Sequence, residues 1–185
     1  MKIKRILFVL LLTSVLIFSL SCFKSDEKKA EEVFIRYQEL REKHDYENAV
    51  KELNYIRFNY PKTKYFYMIE KETRELKADE LYYQAVEKSR EEYHESAIQF
   101  LIMIIEQYAD TEYYKLAIRD LNNINKKVEE LWLSYYKEKD NKNWEEAEKL
   151  LMQINRYTSD PKITEEYQII QKLKKENDST DEKNK

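Results

Sequence analysis

Few residues in this chain could carry nucleophilic, metal-binding or acid–base chemistry. It has one cysteine, Cys22, and two histidines, His44 and His94. A metal site would need imidazoles and thiolates at short spacing, and the chain has no His-x3-His or Cys-x2-Cys pattern. His44 and His94 each sit beside a predicted turn and read as turn or partly buried core residues. Acidic pairs at Glu91-Glu92, Glu129-Glu130 and Glu145-Glu146 have the composition of a two-carboxylate hydrolytic site. On a solvated helix such pairs are ordinary surface charge, and Glu145 is spaced to pair with Lys149. The 185 residues include no glycine, so a phosphate-cradling loop, a dinucleotide fingerprint and a nucleophile elbow are all absent. These residues point away from an enzyme, a metal, a cofactor and a small-molecule substrate.

Charge narrows the partners further. The chain carries 33 Lys and Arg against 36 Asp and Glu, a formal charge of −3 that becomes −6 if Lys2, Lys4 and Arg5 are removed with a leader. Nucleic acid would select a basic face, which this balance does not provide. A protein segment that is neutral or basic is the expected partner.

The elements that position these residues are helical. Hydrophobic residues make up 42% of the chain and charged residues 37%, with two prolines. That is enough apolar material for a core, and Glu, Lys, Leu and Ile recur at helical spacing, so the fold class is all-α. Helices are expected at about 29–43, 46–60, 64–91, 94–108, 112–140, 143–157 and 162–175. Asp, Asn, Ser or Thr in the turns can cap the next helix, as Ser159 or Asp160 can before Pro161. The segment from Phe100 to Ile105 is apolar at every position, and a helix so greasy should be covered on several sides.

The helices also repeat. Ala49, Leu53 and Ile56 correspond to Ala97, Leu101 and Ile104, and then to Ala147, Leu151 and Ile154. An alanine followed by leucine four on and isoleucine seven on forms one stripe, and the small residue lets a neighbouring helix approach. Flanking positions match as well: Tyr60, Thr63 and Tyr65 recur as Tyr108, Thr111 and Tyr113, with Ala109 in place of Pro61. Three stripes with shared flanks are best explained as an internal repeat.

The series Tyr46, Ala49, Leu53, Ile56, Pro61 resembles the second helix of a tetratricopeptide repeat. Tyr60-Pro61-x-Thr63-x-Tyr65 is similar to repeats of exported bacterial lipoproteins, especially the BamD-like family of outer-membrane assembly lipoproteins. The resemblance covers roughly residues 30 to 158. The repeat alanines lie 48 and 50 residues apart, against about 34 in the common repeat. The excess falls in 64–91 and 112–140, which contain neither glycine nor proline, so the first helices read as lengthened, with a break near Lys77 or Asn122–Asn125 as the alternative. The expected architecture is a short α-solenoid of about three such helix-turn-helix units over residues 29–175. The tail from 176 to 185 is charged and small and reads as disordered.

In such arrays the first helices line the concave face where partner segments bind. Tyr82, Tyr83, Trp132, Tyr135 and Tyr136 lie late in the two long first helices and are the candidate partner-binding residues, because Tyr and Trp combine large contact area with a polar handle. Adjacent aromatics on a helix point about 100° apart, so one of each pair should be core and the other exposed.

Residues 1–21 have the layout of an export signal, with cations at Lys2, Lys4 and Arg5, an apolar run from Ile6 to Leu20 and small residues before Cys22. "SLSC" resembles a bacterial lipobox with Ser19 where leucine is usual. The resemblance implies lipidation of Cys22, so that 22–28 are read as the lipidated cysteine and a polar tether over 23–28. An uncleaved membrane helix, or ordinary cleavage that leaves a free thiol, are the other readings. The expected protein is therefore an exported, lipid-anchored adaptor, placed by the resemblance at the periplasmic face of an outer membrane. There it would bind barrel-assembly subunits or nascent outer-membrane proteins. The alternatives are an envelope scaffold for division or cell-wall coordination, and a surface-exposed structural or host-contact lipoprotein.

Overall fold

The computed structural model describes residues 26–183. The expected leader at 1–21, the Cys22 anchor and the first part of the tether lie outside the described residues. The described residues are all-helical, with no strand among them. Helix α1 covers 26–42, followed by α2 (Tyr46–Asn59), α3 (Lys64–Arg90), α4 (His94–Gln107), α5 (Tyr113–Asp140), α6 (Trp144–Ile154) and α7 (Pro161–Lys183). Both long helices are continuous, with no break at Lys77 or at Asn122–Asn125, since neither contains a residue that interrupts backbone hydrogen bonding. Two expected ends shift. Helix α1 takes in 26–28, which the sequence assigns to the tether. Helix α7 continues through the segment expected to be a disordered tail as far as Lys183. No proline or glycine follows Pro161, so nothing stops propagation once the first turns have formed.

The chain divides into two compact units, one up to Glu80 and one from Leu81 onward, with α3 contributing to both. In the first unit a single core draws Ala30, Val33 and Tyr37 from α1, Ala49, Leu53 and Ile56 from α2, and Tyr65, Ile69 and Leu76 from α3. The second unit holds two cores. One gathers Leu81, Ala85, Leu101, Ile104 and Ala117, and the other Leu131, Tyr135, Ala147, Leu150, Leu151, Ile154, Ile163 and Ile170. Within this unit α4 packs on α5, α5 on α6 and α6 on α7. All nine stripe residues are buried, each exposing 3% or less of its surface. The period of the stripes is thus the period of the core.

Helix α4 departs from expectation. Leu101 and Ile104 are buried, but Ile102 and Met103 remain at the surface. Its apolar run exceeds what its packed neighbours cover.

Two kinds of turn recur with the stripes. After α1, α3 and α5 the chain passes through the left-handed region at His44 (φ 58°), Glu92 (φ 64°) and Lys142 (φ 57°). At each, the left-handed residue's N–H donates to the carbonyl three residues back, and the next N–H to the carbonyl five back. His44 donates to Arg41 at 2.9 Å and Asp45 to Leu40 at 2.9 Å; Tyr93 donates to Lys88 and Asn143 to Glu138, also at 2.9 Å. This is the Schellman closure, usually built on glycine. After α2 and α4, the buried Thr63 and Thr111 close a second turn. Their hydroxyls donate to the carbonyls of Tyr60 (2.9 Å) and Tyr108 (2.7 Å). Ala109 replaces Pro61 without altering these bonds. The third copy differs: α6 ends at Ile154, and Asp160 caps α7 by accepting from the Lys162 N–H at 2.9 Å.

A side chain in the left-handed region costs about 1–2 kcal/mol, part of which glycine would recover after its own entropic cost of about 0.5–1 kcal/mol. Lys142→Gly should therefore stabilise the protein by about 0.5–1 kcal/mol, read as a higher urea midpoint at constant slope; a lower midpoint would contradict the left-handed assignment. Leu101→Asp places an uncompensated carboxylate in a core and should abolish cooperative unfolding. Unchanged helix content and melting temperature in that variant would refute the core described here.

Candidate functional site

The predicted aromatic residues separate into two groups, both in the second unit. Tyr135 is fully buried. Its hydroxyl donates to Glu166 Oε2 on α7 at 2.6 Å, and Lys139, one turn further along α5, pairs with the same oxygen. Burial, and then the neighbouring carboxylate, hold the Tyr135 phenol well above its usual titration range. Burial pushes the Glu166 carboxyl up, but the Lys139 ammonium and the Tyr135 hydroxyl outweigh it and leave it below the usual range. Tyr135 is therefore the core member of its pair. Tyr136 is half-buried, its ring centroid 5.8 Å from that of Trp132 and nearly parallel to it. The ammonium of Lys162 stands 4.9 Å from the Trp132 ring centroid and 5.6 Å from that of Tyr136. A cation over two aromatic faces is an attractive contact, and here it ties α7 to α5.

Tyr82 belongs to the other group. It is half-buried against Tyr113, with ring centroids 5.6 Å apart, and donates to Asp120 Oδ2 at 2.6 Å. Arg119 Nε donates to the other oxygen of Asp120 at 2.8 Å. Burial first, and Asp120 second, raise the Tyr82 phenol. Tyr83 is half-buried on the same helix. Beside Tyr82 a half-open cleft of about 300 Å³ passes between α3, α4 and α5, with Ala85, Ala97, Leu101, Ile124 and Asp120 in its walls.

The first unit contains a counterpart of the Tyr135 arrangement. Tyr37, fully buried on α1, donates to Glu72 Oε2 on α3 at 2.9 Å. One turn later Arg41 pairs with Asp79 at 2.7 Å, and the Tyr46 hydroxyl donates to the other Asp79 oxygen at 3.2 Å. Burial and the Glu72 charge raise the Tyr37 phenol above its usual range. Sequence reasoning missed these acids. A signal was available by counting from the turns for Tyr37 and Tyr135, each seven residues before a left-handed residue, and for Glu72 and Asp120, each nine after a buried threonine, but not for Asp79 or Glu166.

The histidines differ: His94 is half-buried and packed, whereas His44 is exposed in its turn. His94 stacks on Tyr157 with centroids 4.2 Å apart and planes 3° from parallel. Around it Arg156 pairs with Glu92 at 2.6 Å, and the Ser159 hydroxyl donates to Glu95 at 2.9 Å. His44 Nδ1 lies 2.9 Å from the Tyr46 hydroxyl. Among the described residues no group of three or more His, Cys, Asp or Glu side chains could hold a metal ion, and no helix is long and apolar enough to cross a membrane.

The chain matches no protein-family model, no curated protein and no solved structure. The informative comparison is internal, between copies of its own turns and stripes.

Burial against Tyr157 lowers the His94 pKa; Glu92 opposes the shift and Arg156 adds to it. An unfolded histidine takes up a proton near pH 6.5. The folded chain resists that proton, so stability present above pH 6.5 falls as the pH drops through the lowered folded pKa. His94→Phe keeps an aromatic face and removes the titration. Urea unfolding at pH 7, 6 and 5 should therefore show a smaller acid loss in the variant than in the parent. An identical loss in both would remove His94 as its source.

Proposed function

We propose that this protein is an exported, membrane-anchored helical-repeat adaptor that binds protein partners through shape and apolar contact, with no chemical step of its own. The anchor is lipid on Cys22. The specific setting is outer-membrane β-barrel assembly, where the partner is an assembly subunit or a nascent barrel segment.

The observation that carries the reading is large apolar side chains left in solvent on helices whose opposite faces are packed. Phe58 is 78% exposed and Tyr67 77%, whereas Leu53 and Ile56 on the same helix as Phe58 are buried. Tyr55, also exposed, lies three residues before Phe58 and so on the same face of α2. Scattered single apolar residues are normal on a surface, but an aromatic pair on one face suits a protein contact better than solvent. The turns and stripes that recur across the chain support the repeat-array part of the reading, since stacked units present extended surfaces of this kind.

Phe58→Glu changes an exposed position and should alter stability by less than about 0.5 kcal/mol. In cells depleted of the parent protein, β-barrel proteins should fall in the envelope and the parent copy should restore them. The Phe58→Glu copy, present at equal abundance, should not. Normal barrel levels on depletion would exclude barrel assembly, and full rescue by Phe58→Glu would exclude this face as the contact.

A further inference from the structure

The repeat register shows what is missing from the cleft beside Tyr82. Counting seven residues back from each left-handed residue gives Tyr37, Ala85 and Tyr135. Two of the three positions hold a buried phenol that donates to a carboxylate on the helix after next, Tyr37 to Glu72 and Tyr135 to Glu166. The central position is alanine. Its carboxylate is nevertheless present, because Asp120 occupies in α5 the place that Glu72 occupies in α3, nine residues after the threonine of the turn. With alanine at this register position, and Tyr82 from three residues earlier donating to Asp120, a half-open cleft of about 300 Å³ lies beside it, walled by Ala85, Ala97, Leu101 and Ile124, with Asp120, Ser89 and Arg90 also lining it. An apolar cavity of about 150 Å³ suffices for a benzene-sized ring.

The electrostatics select the group that would enter. A carboxylate offers about four acceptor positions, and Asp120 receives Tyr82 at 2.6 Å and Arg119 at 2.8 Å. The Arg119 guanidinium already offsets its charge, and Arg90, paired with Glu87, adds a second cation to the lining, so the site suits a further neutral donor better than another cation. The apolar walls suit a ring. A phenol combines both features, and the two sister copies use a phenol at this position.

We propose that this cleft is a socket for a tyrosine side chain supplied by a partner segment, its ring against Ala85 and Ala97 and its hydroxyl donating to Asp120. The partner rests on the adaptor reading, whereas the chemistry of the socket rests on the cleft alone. The test is titration of the full chain without its leader with N-acetyl-tyrosinamide and N-acetyl-phenylalaninamide, followed by backbone amide shifts at Ala85, Ala97 and Asp120. The tyrosine probe should saturate these shifts with a Kd on the order of 1 mM, as expected for so small a ligand. The phenylalanine probe should bind about tenfold more weakly for want of the hydroxyl. Ala85→Tyr fills the socket from within and should abolish binding at an equal or higher melting temperature. If that variant does not fold, Ala85→Val narrows the same wall and should weaken binding. Absence of saturation by the tyrosine probe, equal affinity for the two probes, or undiminished binding in a folded Ala85 variant would each overturn the socket. None of these results bears on whether depletion lowers barrel proteins, so the two proposals can fail separately.

Discussion

A buried phenol that reaches past the neighbouring helix to a carboxylate sets the register of α1 on α3 and of α5 on α7. Apolar stripes pull helices together, but they tolerate sliding, because one methyl group packs about as well as another. Tyr37 on Glu72 and Tyr135 on Glu166 do not tolerate it. A hydrogen bond to a charged acceptor contributes about 1.5–3 kcal/mol, and shifting either helix by a turn would leave a half-buried carboxylate without its donor. In each case a cation one turn further on, Arg41 or Lys139, pairs with an acid of the same third helix. Breaking such a half-buried pair costs more than the pair is worth against an apolar replacement, so its contribution lies in specifying one arrangement. The alanines that begin the second helices complete the constraint, since Ala49 and Ala147 share the cores of Tyr37 and Tyr135.

Glycine is absent, yet the turns that ordinarily use it are present. His44, Glu92 and Lys142 each accept left-handed backbone, and the two hydrogen bonds of the closure offset that strain by satisfying carbonyls the helix end would otherwise expose. At Thr63 and Thr111 a buried hydroxyl adds a bond to the turn carbonyl, which explains why proline in one copy and alanine in the other give the same geometry. The repeated element is thus a helix pair together with both of its turns.

What the packing leaves uncovered follows the same logic. Tyr55 and Phe58 lie off the buried stripe of α2, and Ile102 and Met103 off that of α4, and all four remain at the surface. The central copy differs inside as well, where Ala85 stands at the register position of a ring and a cleft lies beside it. The outer apolar faces and the inner cleft, lined by a charge-balanced carboxylate, sit on helices with well-packed opposite faces.

Helical class, the continuity of α3 and α5 and the identity of the nine stripe residues were legible in the residues themselves. Period-3.6 patterning and the absence of helix breakers are local properties, expressed whatever the rest of the chain does. The shared position of Tyr37, Ala85 and Tyr135 was equally present in the spacing, but it gains meaning only once Glu72 and Glu166 are found opposite the two phenols. Which tyrosine of the 135–136 pair would be buried, that Lys162 would cap Trp132 and Tyr136, and that Ile102 and Met103 would stay in solvent depended on neighbours from other helices. Sequence acts along a helix over a turn or two. Which side chain of a distant helix fills, pairs with or leaves open a given space is decided only when those helices close on one another.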